Sequence, residues 1–142
     1  MKRTANAVWN GSLKEGGGKV STESGAITGI PYTWKMRFED ETVKAGTNPE
    51  ELIAAAHAAC FAMQLSGFLT DNGTPPTEVK SSAAVEIIRG TGITGSALTV
   101  EAKVPGIDKA KFDEIAERAK AGCPVSGALG AIKITLEAKL VS

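Results

Sequence analysis

Residues 47–69 read TNPEELIAAAHAACFAMQLSGFL, and the reading of this stretch decides the fold. Asn48 can cap a helix, Pro49 suits its first turn, and Glu50 and Glu51 complement the positive end of the helix dipole. From Leu52 to Leu69, 18 positions carry no formal charge, which reaches the lower edge of transmembrane length. That apolarity is mostly alanine (Ala54, Ala55, Ala56, Ala58, Ala59, Ala62), and His57, Gln64, Ser66 and Gly67 interrupt it. The pattern predicts a long central helix buried on all sides inside protein, not in lipid. Asp71-Asn72-Gly73 and Pro75-Pro76 stop it. A helix with no polar face needs cover all round. One small chain can hardly provide that, so a partner subunit is expected.

Upstream, strands separated by turns are expected at Ala5–Trp9 and Lys19–Ser24, with Asn10-Gly11 and Gly16-Gly17-Gly18 as a glycine-rich turn. Tyr32 to Glu39 alternates: Tyr32, Trp34, Met36 and Phe38 fall on one face, Thr33, Lys35 and Arg37 on the other, which reads as a third strand. Downstream, Ser82–Arg89 and Ala97–Val104 read as a strand pair, closed by Pro105-Gly106. Asp108 caps a second helix whose Phe112, Ile115, Ala116 and Ala119 form a stripe, with Gly122 as its stop. Cys123-Pro124 opens a short helical piece, and Ile132–Leu140 alternates as a final strand. The order is βββ-α-ββ-α-β, an α+β chain expected to form a single domain over residues 1–142.

The chain has 142 residues, with Lys+Arg and Asp+Glu at 16 each. Neutrality without a basic cluster excludes a phosphate-binding stripe, so no nucleic-acid partner is expected. A hydrophobic fraction of 42% with 23% charged residues excludes wholesale disorder. Two cysteines and one histidine are too few for a Cys/His zinc site within one chain. No apolar segment follows Met1-Lys2-Arg3, so neither a secretory signal nor a membrane association is expected, and the location expected is cytosolic.

The chemistry rests on few residues. Cys60 and Cys123 stand 63 positions apart (123 − 60), which is no CxxC motif. Apolar surroundings should raise the Cys60 thiol, which then needs a cation aimed at it to react. Cys123, just before a helix start, faces backbone N–H groups that favour a thiolate. Spacing alone leaves open two separate buried thiols or, in a cytosolic chain, a redox-cycling pair. His57 is three positions before Cys60 on one helix, which permits a Cys–His nucleophile pair of the hydrolase kind; a hydrogen-bonded core histidine is the blander reading. Gly16-Gly17-Gly18-Lys19 fails as a phosphate loop, because Val20 follows the lysine and Leu13 stands where a glycine is needed. By spacing alone, Arg37 is a solvated charge on the polar side of its strand, or half of a surface ion pair worth little, and Glu50 is a helix-start carboxylate.

Gly18 to Gly25 (GKVSTESG), Gly46 to Ile53 (GTNPEELI), Ala55 to Phe61 (AAHAACF), Val104 to Asp108 (VPGID) and Ala119 to Ser126 (AKAGCPVS) resemble the OsmC branch of the OsmC/Ohr family, the osmotically inducible and organic-hydroperoxide-resistance proteins. The likeness runs essentially end to end. It implies an OsmC-like fold in an intertwined homodimer, and a thiol peroxidase without metal, haem or flavin. By position, Cys60 matches the family's peroxidatic cysteine and Cys123 the resolving one. Arg37 matches its active-site arginine, and Glu50 the carboxylate holding that arginine. The substrates implied are organic hydroperoxides, with hydrogen peroxide used less well, and the reductant implied is an external dithiol such as one of lipoyl type. His57 matches a position without a catalytic role there. A cysteine hydrolase using Cys60 and His57, or a non-enzymatic redox-sensing stress protein, are the alternative readings. Ten steps of helix place Glu50 about 15 Å from Cys60 along the axis, so Arg37 either bridges the gap within one chain or serves the other subunit's Cys60.

Overall fold

A computed structural model describes residues 1–42 and 44–141. The chain is α+β, with two three-stranded sheets among the described residues, and divides into two compact units, Met1–Leu52 and Ile53–Ser142.

In the first unit, β1 (Ala5–Asn10), β2 (Gly17–Thr22) and β3 (Ile30–Tyr32) form an antiparallel sheet in that order. Trp9, Gly18 and Tyr32 share one row of the register, and the Trp9 and Tyr32 rings meet with centroids 5.4 Å apart. A Cβ on Gly18 would lie 2.6 Å from the Tyr32 ring, so only glycine lets those rings close over β2. Gly17 and Gly18 are therefore strand residues, and the turn occupies 11–16 instead.

The predicted third strand over Tyr32–Glu39 is corrected. β3 ends at Tyr32, and Trp34–Phe38 forms a five-residue helix, α1. Thr33 is the switch: in extended geometry (φ −140°, ψ 163°), its hydroxyl accepts from the Met36 N–H at 3.1 Å. The helix makes Trp34 and Phe38 i, i+4 neighbours with centroids 5.5 Å apart, and puts Lys35 and Arg37 at its negative end. Over so few residues, alternation of large and basic side chains suits either period. Gly46 then crosses β3 closely: the Thr47 N–H donates to Pro31 O at 3.0 Å, where a Cβ on Gly46 would lie 2.2 Å from that oxygen.

The central helix, α2, runs Pro49–Asp71, and Asn48 caps it by accepting from the Glu51 N–H at 2.8 Å. In the second unit, β4 (Glu78–Ile88), β5 (Gly92–Lys103) and β6 (Lys133–Val141) stand in that order, β4–β5 antiparallel and β5–β6 parallel. A parallel pair needs a crossover, and α3 (Lys109–Gly122) and α4 (Pro124–Ala128) supply it. Asp108 caps α3 as predicted, accepting from the Lys111 N–H at 2.8 Å. The core gathers Phe61, Leu65 and Leu69 of α2, Leu98, Val100 and Ala102 of β5, and the expected α3 stripe.

Burial of α2 on all sides is not met within one chain. His57, Phe61, Leu65 and Leu69 recur every four residues and are completely buried, whereas Ala55, Ala59, Met63 and Gly67 recur every four residues and are exposed, Met63 by 78%. The helix was expected to need more cover than one chain supplies, and what remains uncovered is an apolar stripe of Ala55, Ala59 and Gly67 with Met63.

Candidate functional site

The four residues singled out from sequence come together as two pairs, one in each unit. In the first, Arg37 and Glu50 form a forked contact: Arg37 Nε donates to Oε1 and Oε2 at 3.2 Å each, and Nη2 donates to Oε1 at 2.7 Å. The Glu50 side chain is 6% exposed and that of Arg37 36%. Of the two expectations for Arg37 the ion pair is the one met, but on a helix instead of a strand and with a buried partner: α1 turns Arg37 toward the first turn of α2, where a buried carboxylate needs a partner. Planar, two-point contact fixes the guanidinium in orientation as well as place. The Nη1 donors are not engaged by Glu50.

In the second unit, Cys60 of α2 and Cys123 at the start of α4 are free thiols, Cys60 packed against the core cluster that holds Cys123. Cys60 is half-buried, Cys123 only 1% exposed. Burial, followed by the neighbouring Cys123 sulfur, pushes the Cys60 thiol above its ordinary value, and the Val125 N–H acts in the opposite direction. Burial acts on Cys123 in the same direction and is the largest single influence. The Cys60 thiol, the Ser126 N–H and hydroxyl, and the Val125 N–H together outweigh it and bring Cys123 below its ordinary value. Cys123 caps α4 by position without closing a side-chain capping hydrogen bond, so these N–H groups act on its sulfur as a field. Both directions agree with the sequence reading.

His57 lies one turn before Cys60, completely buried. Its Nδ1 is 2.7 Å from Ser96 Oγ and its Nε2 is 2.8 Å from Ser126 Oγ. Both ring nitrogens are thus occupied by serines, which removes the support for a Cys60–His57 hydrolase pair and bears out the core-histidine reading. Ser96 and Ser126 were not legible as its partners. They stand 39 and 69 positions away, and the available signal was only that a buried imidazole must find two polar neighbours.

The OsmC-like protein family model matches residues 21–137. Over 145 aligned positions the chain is 50% identical to peroxiredoxin OsmC of Escherichia coli (strain K12), covering 100% of this chain and 99% of that protein. It is 35% identical over 117 residues to organic hydroperoxide resistance protein OhrA of Bacillus subtilis (strain 168), covering 79% and 76%. Among solved structures, an organic hydroperoxide resistance protein OsmC from Legionella pneumophila superposes with a TM-score of 0.71 at 22% identity, covering 96% of both chains, a likeness of fold.

Proposed function

This chain belongs to the OsmC-like protein family, and from that premise we propose that it is a cysteine-based peroxidase that reduces organic hydroperoxides to alcohols. The observation that carries the mechanism is the contrast between two adjacent thiols, Cys60 half-exposed and Cys123 fully buried. A peroxide can reach only the first.

Cys60 attacks as a thiolate. Its sulfur forms a bond to one peroxide oxygen, the O–O bond breaks, and the departing alkoxide takes a proton to leave as the alcohol. Cys60 is left as a sulfenic acid. The Cys123 sulfur then attacks the Cys60 sulfur, an S–S bond forms, and the hydroxyl departs as water with the proton of the second thiol. The two thiols lose two electrons and the peroxide gains them. An external dithiol restores both by exchange and is itself oxidised to a disulfide; a lipoyl-type dithiol fits.

Because its surroundings push the Cys60 thiol up, attack near neutrality needs a cation. Arg37 is the residue we assign, its guanidinium lowering the thiol and holding the peroxide, with Glu50 fixing its orientation. The uncovered stripe Ala55, Ala59, Met63 and Gly67 supports an intertwined homodimer whose second copy covers α2. The ten-residue separation of Glu50 from Cys60 supports Arg37 and Glu50 serving the partner's thiol. In this reading residues 1–142 act as one domain of a cytoplasmic protein.

The test is steady-state loss of cumene hydroperoxide with a dithiol reductant, paired with non-reducing peptide mapping after one equivalent of peroxide. Turnover with a Cys60–Cys123 disulfide within one chain is expected. Alkylation-sensitive hydrolysis without peroxide loss, or oxidation without turnover, would replace the reading with one of its two alternatives.

A further inference from the structure

His57 is a buried polar group for which the peroxidase steps have no use, and three hydrogen bonds converge on it and its neighbour. Its Nδ1 meets Ser96 Oγ of β5 at 2.7 Å, and its Nε2 meets Ser126 Oγ of α4 at 2.8 Å. Ser81 Oγ of β4 donates to the Ala58 carbonyl at 2.7 Å. Two consecutive residues of α2 are thereby tied to β4, β5 and α4, one helical turn before Cys60. We infer that this cluster is an anchor that sets where Cys123 stands relative to Cys60, which makes His57, Ser96 and Ser126 positioning residues for closing the disulfide. The inference rests on the peroxidase reading for the pairing of those two cysteines.

The need for an anchor comes from the sequence of α2. Around Cys60 it presents Ala54, Ala55, Ala56, Ala58, Ala59 and Ala62. Their single carbons form shallow ridges that resist rotation or sliding of the helix poorly. Hydrogen bonds are directional, so bonds to both nitrogens of one rigid ring, with a third on the next carbonyl, fix what alanine cannot. His57 is completely buried, and Ser96 and Ser126 are buried with it. Breaking either of its bonds therefore strands a buried polar group.

The other end of the anchor is α4. Among the described residues of this five-residue helix Ser126 alone is buried, and Val125 is partly buried against the core. The seat of α4 thus depends on the contact between Ser126 and His57. Cys123 lies at the junction: its N–H donates to Ala119 O of α3 at 2.9 Å, and its carbonyl accepts from the Gly127 N–H at 3.0 Å. With α3 holding one side of the residue and α4 the other, a shift of α4 turns the peptide after Cys123. A disulfide tolerates little such error, because it forms only when the two Cα atoms stand about 4.4–6.8 Å apart and the side chains face each other.

The experiment equilibrates the full chain with reduced and oxidised dithiothreitol, without peroxide, and reads the closed fraction by mass after alkylation. Closing takes two electrons and two protons from the thiols and passes them to the oxidised reagent. In Ser126→Ala the equilibrium constant for closure should fall about tenfold, a rise in potential of about 30 mV. Ser96→Ala, which frees the other side of the ring, should shift it the same way by a smaller factor, and it keeps the test open if Ser126→Ala does not fold. Ser82→Ala removes a hydroxyl that pairs with Thr99 on the exposed face of the same sheet, and it should leave the potential unmoved. A role in fold stability alone would weaken the reduced and oxidised proteins equally, and the potential would stay where it is. An unshifted potential in the folded variants of Ser126 or Ser96, or a shift toward tighter closure, overturns the inference. A wild type that closes no Cys60–Cys123 disulfide overturns the pairing and this inference with it, a result told apart because it is read before any variant is made.

Discussion

Arg37 and Glu50 meet through charge on a five-residue helix and a helix start, whereas Cys60 and Cys123 meet through neutral sulfur beside the apolar core. The first pair is oriented by its own fork of hydrogen bonds; the second is placed by packing that the fold needs anyway. Phe61 is the residue after Cys60 and Ala119 lies four before Cys123, and both are completely buried. The difference teaches where each pair is vulnerable. Substitutions in the charged pair should change chemistry and leave folding largely intact. Those around the sulfurs risk both.

The sharpest break of that symmetry is at Cys60 itself. Cys60→Ser is nearly isosteric, so the protein should fold, yet peroxide turnover should drop by at least about a thousandfold, since no second accessible thiol exists among the described residues. Circular dichroism with the peroxide assay checks both halves. Residual activity near wild type would move the chemistry elsewhere. Cys123→Ser should instead consume about one peroxide per subunit and stall, with a sulfenic acid trapped on Cys60. Finding only crosslinks between subunits in the wild type would remove the resolving role.

Next in size is the charged pair. Arg37→Ala should slow the first oxidation of Cys60 by about a hundredfold and raise the pH at which Cys60 is alkylated; Arg37→Lys, which keeps the charge without the planar fork, should slow it by about tenfold. An alkylation profile unchanged in Arg37→Ala would assign Cys60 activation to another group. Whether the two pairs act across subunits is read from mixed dimers of Cys60→Ser and Arg37→Ala chains reassembled after unfolding. A site shared between subunits restores part of the activity. Verified heterodimers without recovery mean each chain completes its own site.

The same contrast governs what the sequence made legible. Around the sulfurs, local signals agree with the packing. Asp108 caps α3, Phe112, Ile115, Ala116 and Ala119 form its buried stripe, and Leu98, Val100 and Ala102 alternate into the core. These segments are long enough for their periods to separate. Around Arg37 they are not: Trp34 to Phe38 satisfies a strand period and a helix i, i+4 pair equally, and Thr33 decides by capping. Arg37 and Glu50 were picked out by family resemblance alone, because nothing local says that residues 13 apart will fork together. His57 was visible as a core histidine, but its serines were not, since a hydrogen bond across 69 positions leaves no periodic trace.

The smallest expected effect separates the neutral core from the charged pair by its pH dependence. Burial holds His57 below the ordinary imidazole value of 6.5 in the folded protein, while the unfolded chain titrates near that value. Between the two, the unfolded state binds a proton that the folded state refuses, so stability rises with pH across that window. The contribution is complete above pH 6.5 and is lost as pH falls below it toward the folded value. The slope is at most about 1.4 kcal/mol per pH unit for one proton. Glutamine at position 57 does not titrate, so His57→Gln should lose this part of the slope while every carboxylate contributes as before. Urea unfolding at fixed protein concentration, from pH 7.5 down to about pH 5, would measure the difference between the two proteins. A steeper loss in wild type is expected; parallel curves would mean that the folded protein accommodates an imidazolium between Ser96 and Ser126, with Nε2–H and Nδ1–H both donating and neither serine's hydroxyl proton held by the ring.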